Sequence, residues 1–106
     1  MTARPTNPKQ WTIGLVGYGE VGRILAEDLR KQDLTVLAYD IKLGGAKGGP
    51  LREHARDHGV ALPASHADLA AQADFIVSAV TASQAVPVAQ ACAPAVKKNA
   101  FFLDFN

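Results

Sequence analysis

The chain has 106 residues, 48% of them hydrophobic and 20% charged, with a formal net charge of +1. That is enough for one soluble globular domain with its own core and too little for two. The near balance of charge gives no electrostatic reason to expect a nucleic acid or an anionic membrane as partner.

The single cysteine, Cys92, has no internal disulfide partner and suits a reducing compartment. No window approaches the ~20 apolar residues of a membrane span, and the polar opening MTARPTNPKQW, with two prolines, is no signal peptide. A cytoplasmic protein is expected, with a loose N-terminal arm over residues 1–11 and one domain over 12–106.

TIGLVG, Thr12 to Gly17, is a short apolar run with β-branched residues and predicts a buried strand. From Glu20 the period changes. Val21, Ile24, Leu25 and Leu29 fall at helical spacing, with Arg23, Glu27, Arg30 and Lys31 on the other face. Glu27 and Lys31 stand four apart in the favourable order. LTVLAYD, Leu34 to Asp40, is a second strand, and the glycine-rich IKLGGAKGGP after it is expected to be a mobile loop.

Leu51 to His58 predicts a short helix closed by Gly59. VAL, residues 60–62, is a brief third strand. Ser65 and Asp68 have capping-box spacing and start a helix through Gln72. DFIVSAV, Asp74 to Val80, is the fourth strand. A helix follows from about Gln84 to Ala95, its start blurred by Pro87, and AFFLDF is the last strand.

Strands alternate with helices throughout, and most strands are continuously apolar, as parallel strands covered on both faces are. The expected fold is α/β: a Rossmann-type doubly wound parallel sheet of about five strands, ordered 3-2-1-4-5, in a three-layer sandwich.

Chemistry concentrates at GLVGYGEVG, residues 14–22. Gly17, Gly19 and Gly22 form G-x-G-x-x-G directly after a strand and at the opening of a helix, the context a dinucleotide pyrophosphate requires. Gly17 permits the turn, Gly19 leaves the backbone amides accessible to phosphates, and Gly22 lets the helix pack closely. The free amides and dipole of the helix start face the anion.

Asp40 ends the second strand, 18 positions after Gly22. A carboxylate there accepts both hydroxyls of an adenosine ribose and repels a 2′-phosphate, which favours NAD over NADP. Lys42 just beyond softens that preference. After the fourth strand, Val80 packs against the adenine or ribose side and Thr81 offers a hydroxyl and an amide; equally, Thr81 and Ser83 are helix-capping types. The candidate cofactor-binding set is Gly17, Tyr18, Gly19, Glu20, Val21, Gly22, Asp40, Val80 and Thr81.

His54 and His58 are four apart on one predicted helix, a spacing two metal ligands can use. No third ligand is evident and HARDH lacks the glutamate of the metalloprotease motif, so both read as solvated and no metal is assigned. The doublets Arg30-Lys31 and Lys97-Lys98 read as solvated helix ends. His66 is isolated, and Cys92 lies among alanines and reads as packed.

With those residues in hand, IGLVGYGEVGRILAEDL, LTVLAYD and QADFIVSAVTASQAVPVAQACAPAVKKNAFFLDFN resemble the N-terminal cofactor domain of the beta-hydroxyacid dehydrogenase family, which includes 3-hydroxyisobutyrate dehydrogenases and 6-phosphogluconate dehydrogenase. The resemblance runs from about Thr12 to Asn106. It implies NAD use through Asp40 and cofactor contact through Val80 and Thr81. It also implies a substrate-holding role for Asn106, since Asp104 to Asn106 looks like the opening of the family's fifth-strand signature.

The family's helical second domain, with its catalytic lysine, has no counterpart here, and none of Lys9, Lys31, Lys42, Lys47, Lys97 or Lys98 is placed to replace it. No catalytic residue is assigned. Phe101, Phe102 and Phe105 crowd the last six residues, an apolar end that wants a covering helix. The expectation is a cofactor domain of an oxidoreductase acting on a small hydroxyacid or sugar acid. It is incomplete alone, with the dinucleotide and a missing helical domain or subunit as partners.

GYGEVGRILAEDL also resembles the nucleotide-sensing regulatory domains of potassium transport systems, the alternative from another class. A methyltransferase is a third reading, disfavoured by the helix-packing Gly22.

Overall fold

Alternation along the first strand decides the layering. In β1 (Thr12–Val16), Ile13 and Leu15 point to one side of the sheet and Val16 to the other, and all three are buried. A strand covered on both faces needs helices on both. α1 (Glu20–Lys31) and α2 (Gly48–His58) cover the first side, where Ala26, Leu51 and Ala55 meet Ile13, Leu15, Val36 and Ala38. α3 (His66–Gln72) and α4 (Ala82–Cys92) cover the second, where Leu69, Val88 and Cys92 meet Val16, Leu37 and Ile76. The computed structural model describes residues 10–105.

The sheet is completed by β2 (Thr35–Tyr39), β3 (Phe75–Ser78) and β4 (Phe101–Asp104). Its order is β2-β1-β3-β4, and every pairing is parallel. Thr12 stands opposite Thr35, Ile13 opposite Phe75, and Phe75 opposite Phe101. This is the Rossmann-type doubly wound arrangement expected, with one strand fewer. The segment 60–62 makes a single parallel bridge, Leu37 to Ala61, outside β2. Three residues ahead of Pro63 leave it too short to extend the ladder.

Several boundaries differ from expectation. The segment 41–50 is not a featureless loop. It forms a 3-10 turn at Ile41–Gly44 and then opens α2 three residues before Leu51. A Cβ on Gly48 would stand 2.3 Å from the Leu43 carbonyl oxygen, so only glycine lets the turn and helix meet. Pro50 costs no helical hydrogen bond, because the first-turn amides have no intrahelical acceptor.

α4 starts at Ala82, ends at Cys92 and continues as a 3-10 turn over Ala93–Ala95, with Pro87 inside the helix. Val21 and Ile24 of α1 are exposed, and the buried stripe runs through Gly22 and Ala26, with Leu25 and Leu29 half-buried. The need to seat Gly22 against the preceding turn sets that rotation.

Other local signals hold. Ser65 Oγ accepts from the Asp68 amide at 3.0 Å, and Gly59 closes α2 in the left-handed region at φ 70°. Cys92 is fully buried, and burial pushes its thiol pKa up.

Of the expected N-terminal arm, residues 1–9 lie outside the described residues, as does Asn106 at the other end. Trp11 packs its ring against Phe75 and Phe101, with centroids 6.2 and 5.7 Å away. Phe101, Phe102, Leu103 and Phe105 are 39–53% exposed along the β4 edge. Among the described residues, no helix is long and apolar enough to cross a membrane.

Candidate functional site

The glycine loop sits where β1 gives way to α1. Gly17 adopts φ +93°, a conformation side chains resist, and a Cβ there would lie 2.6 Å from the Ala79 carbonyl oxygen. A Cβ on Gly22 would lie 2.1 Å from the carbonyl oxygen of Gly17. These two glycines are fixed by backbone contacts within the protein. Gly19 is different: among the described residues, a Cβ there meets nothing within 4 Å and projects into open space. The Gly19 carbonyl accepts from the Arg23 amide at 2.9 Å, which starts α1.

Asp40 follows β2 and ties the loop to the neighbouring strand. Its Oδ2 accepts from the Tyr18 amide at 2.8 Å and its Oδ1 from the Lys42 amide at 2.9 Å. Each oxygen keeps a further lone pair for an outside donor. The Gly17 amide donates to the Tyr39 carbonyl at 2.9 Å and the Ala79 amide to the Val16 carbonyl at 2.7 Å. The carboxyl ends of β1, β2 and β3 are thereby stitched together.

At those ends lies a cleft of about 220 Å³ lined by Gly17, Gly19, Asp40, His66, Val80 and Thr81, among others. The structure thus brings together five of the nine candidate cofactor residues. Of the other four, Tyr18 is fully buried, Gly22 is buried behind the loop, and Glu20 and Val21 are exposed on the first turn of α1. Thr81 occupies the N-cap of α4 without a capping bond from its side chain; its hydroxyl lies 3.3 Å from that of Ser83.

Two features escaped sequence reasoning. His66, at the start of α3, lines the cleft with its ring edge-on to Tyr39 at 4.7 Å. Burial lowers its pKa, partly opposed by the Asp40 charge. Its only signal was its place after the Ser65 cap. Beside Gly19, a second recess of about 380 Å³ is lined by Arg23, Lys42 and Lys47 together with Tyr18. These cations come from α1, the 3-10 turn and the residue before α2, so no local pattern groups them.

The Tyr18 side chain points away from the cleft, toward the α1–α2 face. Its hydroxyl lies 2.5 Å from His54 Nδ1, and His54 Nε2 lies 2.8 Å from Glu27 Oε2. His54 is therefore engaged in hydrogen bonds, contrary to the expectation of a solvated residue, while His58 is exposed. Burial pushes the Tyr18 pKa up to about 12, against a lowering by Arg23 and with a further raise from Glu27. The hydrogen bond from His54 holds the Glu27 carboxyl below its ordinary value.

The opposite end of the sheet is locked by Asp74. Its carboxylate accepts from the Thr12 amide at 2.8 Å and from Lys97 Nζ at 3.2 Å, and Asp74 is 2% exposed. Lys97 is thus an internal partner rather than a solvated helix end.

The family model described as NADP oxidoreductase, coenzyme F420-dependent, matches residues 12–105. A conserved hypothetical protein from Sinorhizobium meliloti 1021 superposes with a TM-score of 0.86 at 31% identity, over 93% of this chain and 33% of its own. Mycobacterium tuberculosis 3-hydroxyisobutyrate dehydrogenase gives 0.77 at 22% identity, over 90% of this chain and 31% of its own. Synechocystis arogenate dehydrogenase gives 0.76 at 20% identity, over 90% and 32%. At such identities the two dehydrogenases share the fold. The chain spans about a third of the length of these structures.

Proposed function

The chain belongs to the NADP oxidoreductase, coenzyme F420-dependent family and is an NAD(P)-binding oxidoreductase domain of Rossmann type, and on that footing we propose that the cleft beside Gly17 and Gly19 holds the dinucleotide of a dehydrogenase acting on a small hydroxyacid or sugar acid. The observation that carries this reading is the contrast among the three glycines. Gly17 and Gly22 are required by the fold, whereas, among the described residues, nothing lies within 4 Å of the space a Cβ on Gly19 would take. That open cradle, at a helix start and at the carboxyl ends of parallel strands, fits a pyrophosphate.

In this reading the amides of Glu20 and Val21, at the free end of α1, face the phosphates. The spare lone pairs of Asp40 accept the ribose hydroxyls, and Val80 and Thr81 flank the nucleotide. The cleft, at about 220 Å³, is below the ~300–1,000 Å³ of pockets that enclose a whole ligand. It suits one part of a dinucleotide, with the remainder covered by a further domain or subunit. When bound, the nicotinamide supplies hydride transfer. The part played by residues 12–105 is to bind and orient, in the cytoplasm, and a substrate-holding role for Asn106 belongs to the same reading.

The Asp40 carboxylate supports NAD as the cofactor. A second reading, NADP, is favoured by the recess of Arg23, Lys42 and Lys47 next to Gly19, where three cations can face a 2′-phosphate. Calorimetric titration with NADH and with NADPH separates the two. Tighter NADH binding supports the Asp40 reading and tighter NADPH binding the basic recess. Binding of neither would refute the dinucleotide assignment, and S-adenosylmethionine would be the next ligand to try.

A further inference from the structure

Away from the cleft, two imidazoles and a carboxylate converge on the α1–α2 face. His54 and His58 lie one turn apart on α2, which places both on the same side of the helix. Their rings stack at 4.3 Å between centroids, 30° from parallel. Glu27, from α1, completes the group: one ligating atom from each of the three residues lies within 4.8 Å of the others. The third partner is 27 positions away in sequence and becomes visible only when the two helices pack.

We propose that Glu27, His54 and His58 form a binding site for a divalent transition metal of zinc type. Two imidazole nitrogens and one carboxylate oxygen match zinc, which takes mixed N and O donors, better than calcium or magnesium, which take oxygen. His54 Nε2 already faces Glu27 Oε2 at 2.8 Å. An ion held by both needs these atoms to part by a few tenths of an ångström and the His58 ring to turn inward. Three protein ligands leave a fourth position open to solvent, as exposed His58 requires.

The surroundings fix how His54 would ligate. With Nε2 on the metal, the proton sits on Nδ1 and is donated to the Tyr18 hydroxyl oxygen, 2.5 Å away. Such an outer partner orients a metal-bound imidazole and sets its tautomer. The neighbouring charges are mixed. Lys31 and Arg30 oppose a cation and Asp57 favours it, all three lining the recess beside Glu27 and His58. Arg30 donates to the carbonyls of His58 and Leu34, which keeps its charge beside the His58 backbone.

The test is calorimetric titration of the chain with Zn²⁺, repeated with Co²⁺ while following the visible absorption of the bound ion. The expected result is one equivalent bound, with affinity at least tenfold weaker in His58→Ala and in Glu27→Gln and unchanged in His66→Ala. Circular dichroism confirms that each variant is folded; the exposure of His58 makes that variant the safer of the two. No binding at one equivalent, or equal binding by wild type and His58→Ala, would overturn the site. Loss in His66→Ala alone would do the same, by placing the ion in the cleft.

Discussion

The amide of Tyr18 donates to Oδ2 of Asp40 at 2.8 Å, so the middle of the glycine loop and the acid at the end of β2 are one hydrogen-bonded unit. The acid holds the loop in shape and, in the proposed complex, also meets the ribose. The two roles use different lone pairs of the same carboxylate.

Replacing Asp40 by alanine should therefore have two separable effects. Stability should fall by about 1 kcal/mol, as for the loss of a capping carboxylate, read from the denaturant midpoint. The ratio of NADPH to NADH dissociation constants should move toward NADPH, because a repelling charge is removed. An unchanged ratio with the stability loss intact would confine Asp40 to a structural role.

The three glycines should part company on substitution by valine. Gly17→Val and Gly22→Val place a side chain against backbone oxygens at 2.6 and 2.1 Å. Strain and overpacking of this kind cost about 2–4 kcal/mol. Gly19→Val places its Cβ where none of the described residues comes within 4 Å, and it should melt within a few degrees of wild type while losing cofactor binding. Normal NADH binding by folded Gly19→Val would remove the loop from the phosphate.

Acid should weaken the fold through His66. Its pKa is lowered in the folded protein, mainly by burial, so the unfolded chain takes up the proton first. The stability it contributes is full above the ordinary histidine value of ~6.5 and is lost as pH falls through the lower folded value. His66→Gln should flatten the pH dependence of the melting temperature in that window; an identical slope would contradict it.

Asp74→Asn should cost more than a surface change, because it leaves the half-buried Lys97 ammonium without its counter-charge. Breaking such a pair from one side costs about 3 kcal/mol. Lys97→Met made in the Asp74→Asn background should recover part of the loss, measured by chemical denaturation. No recovery would mean that Asp74 acts through the Thr12 amide alone.

Sequence periodicity carried the alternation of strands and helices, since the switch from a continuous apolar run to helical spacing falls within Gly17 to Gly22. It failed where glycine serves packing rather than turning. Gly48 reads as loop punctuation, yet it is the residue that lets α2 start against Leu43. It also placed Val21 and Ile24 on the inner face of α1, because hydrophobicity alone cannot tell which stripe the loop will turn inward.

Of the cleft, Asp40 and the glycines were legible because each answers a local need. His66, the recess of Arg23, Lys42 and Lys47, and the meeting of Glu27 with His54 were not. Their partners come from separate elements and share no spacing along the chain.

The measurement that tests the cleft assignment most directly is the backbone amide NMR spectrum of the chain titrated with NADH. The largest shifts are expected at Gly17 to Gly22, Asp40, Val80 and Thr81, with Asp74 and Lys97 at the far end of the sheet unmoved. Shifts centred elsewhere, or none at saturating cofactor, would contradict it.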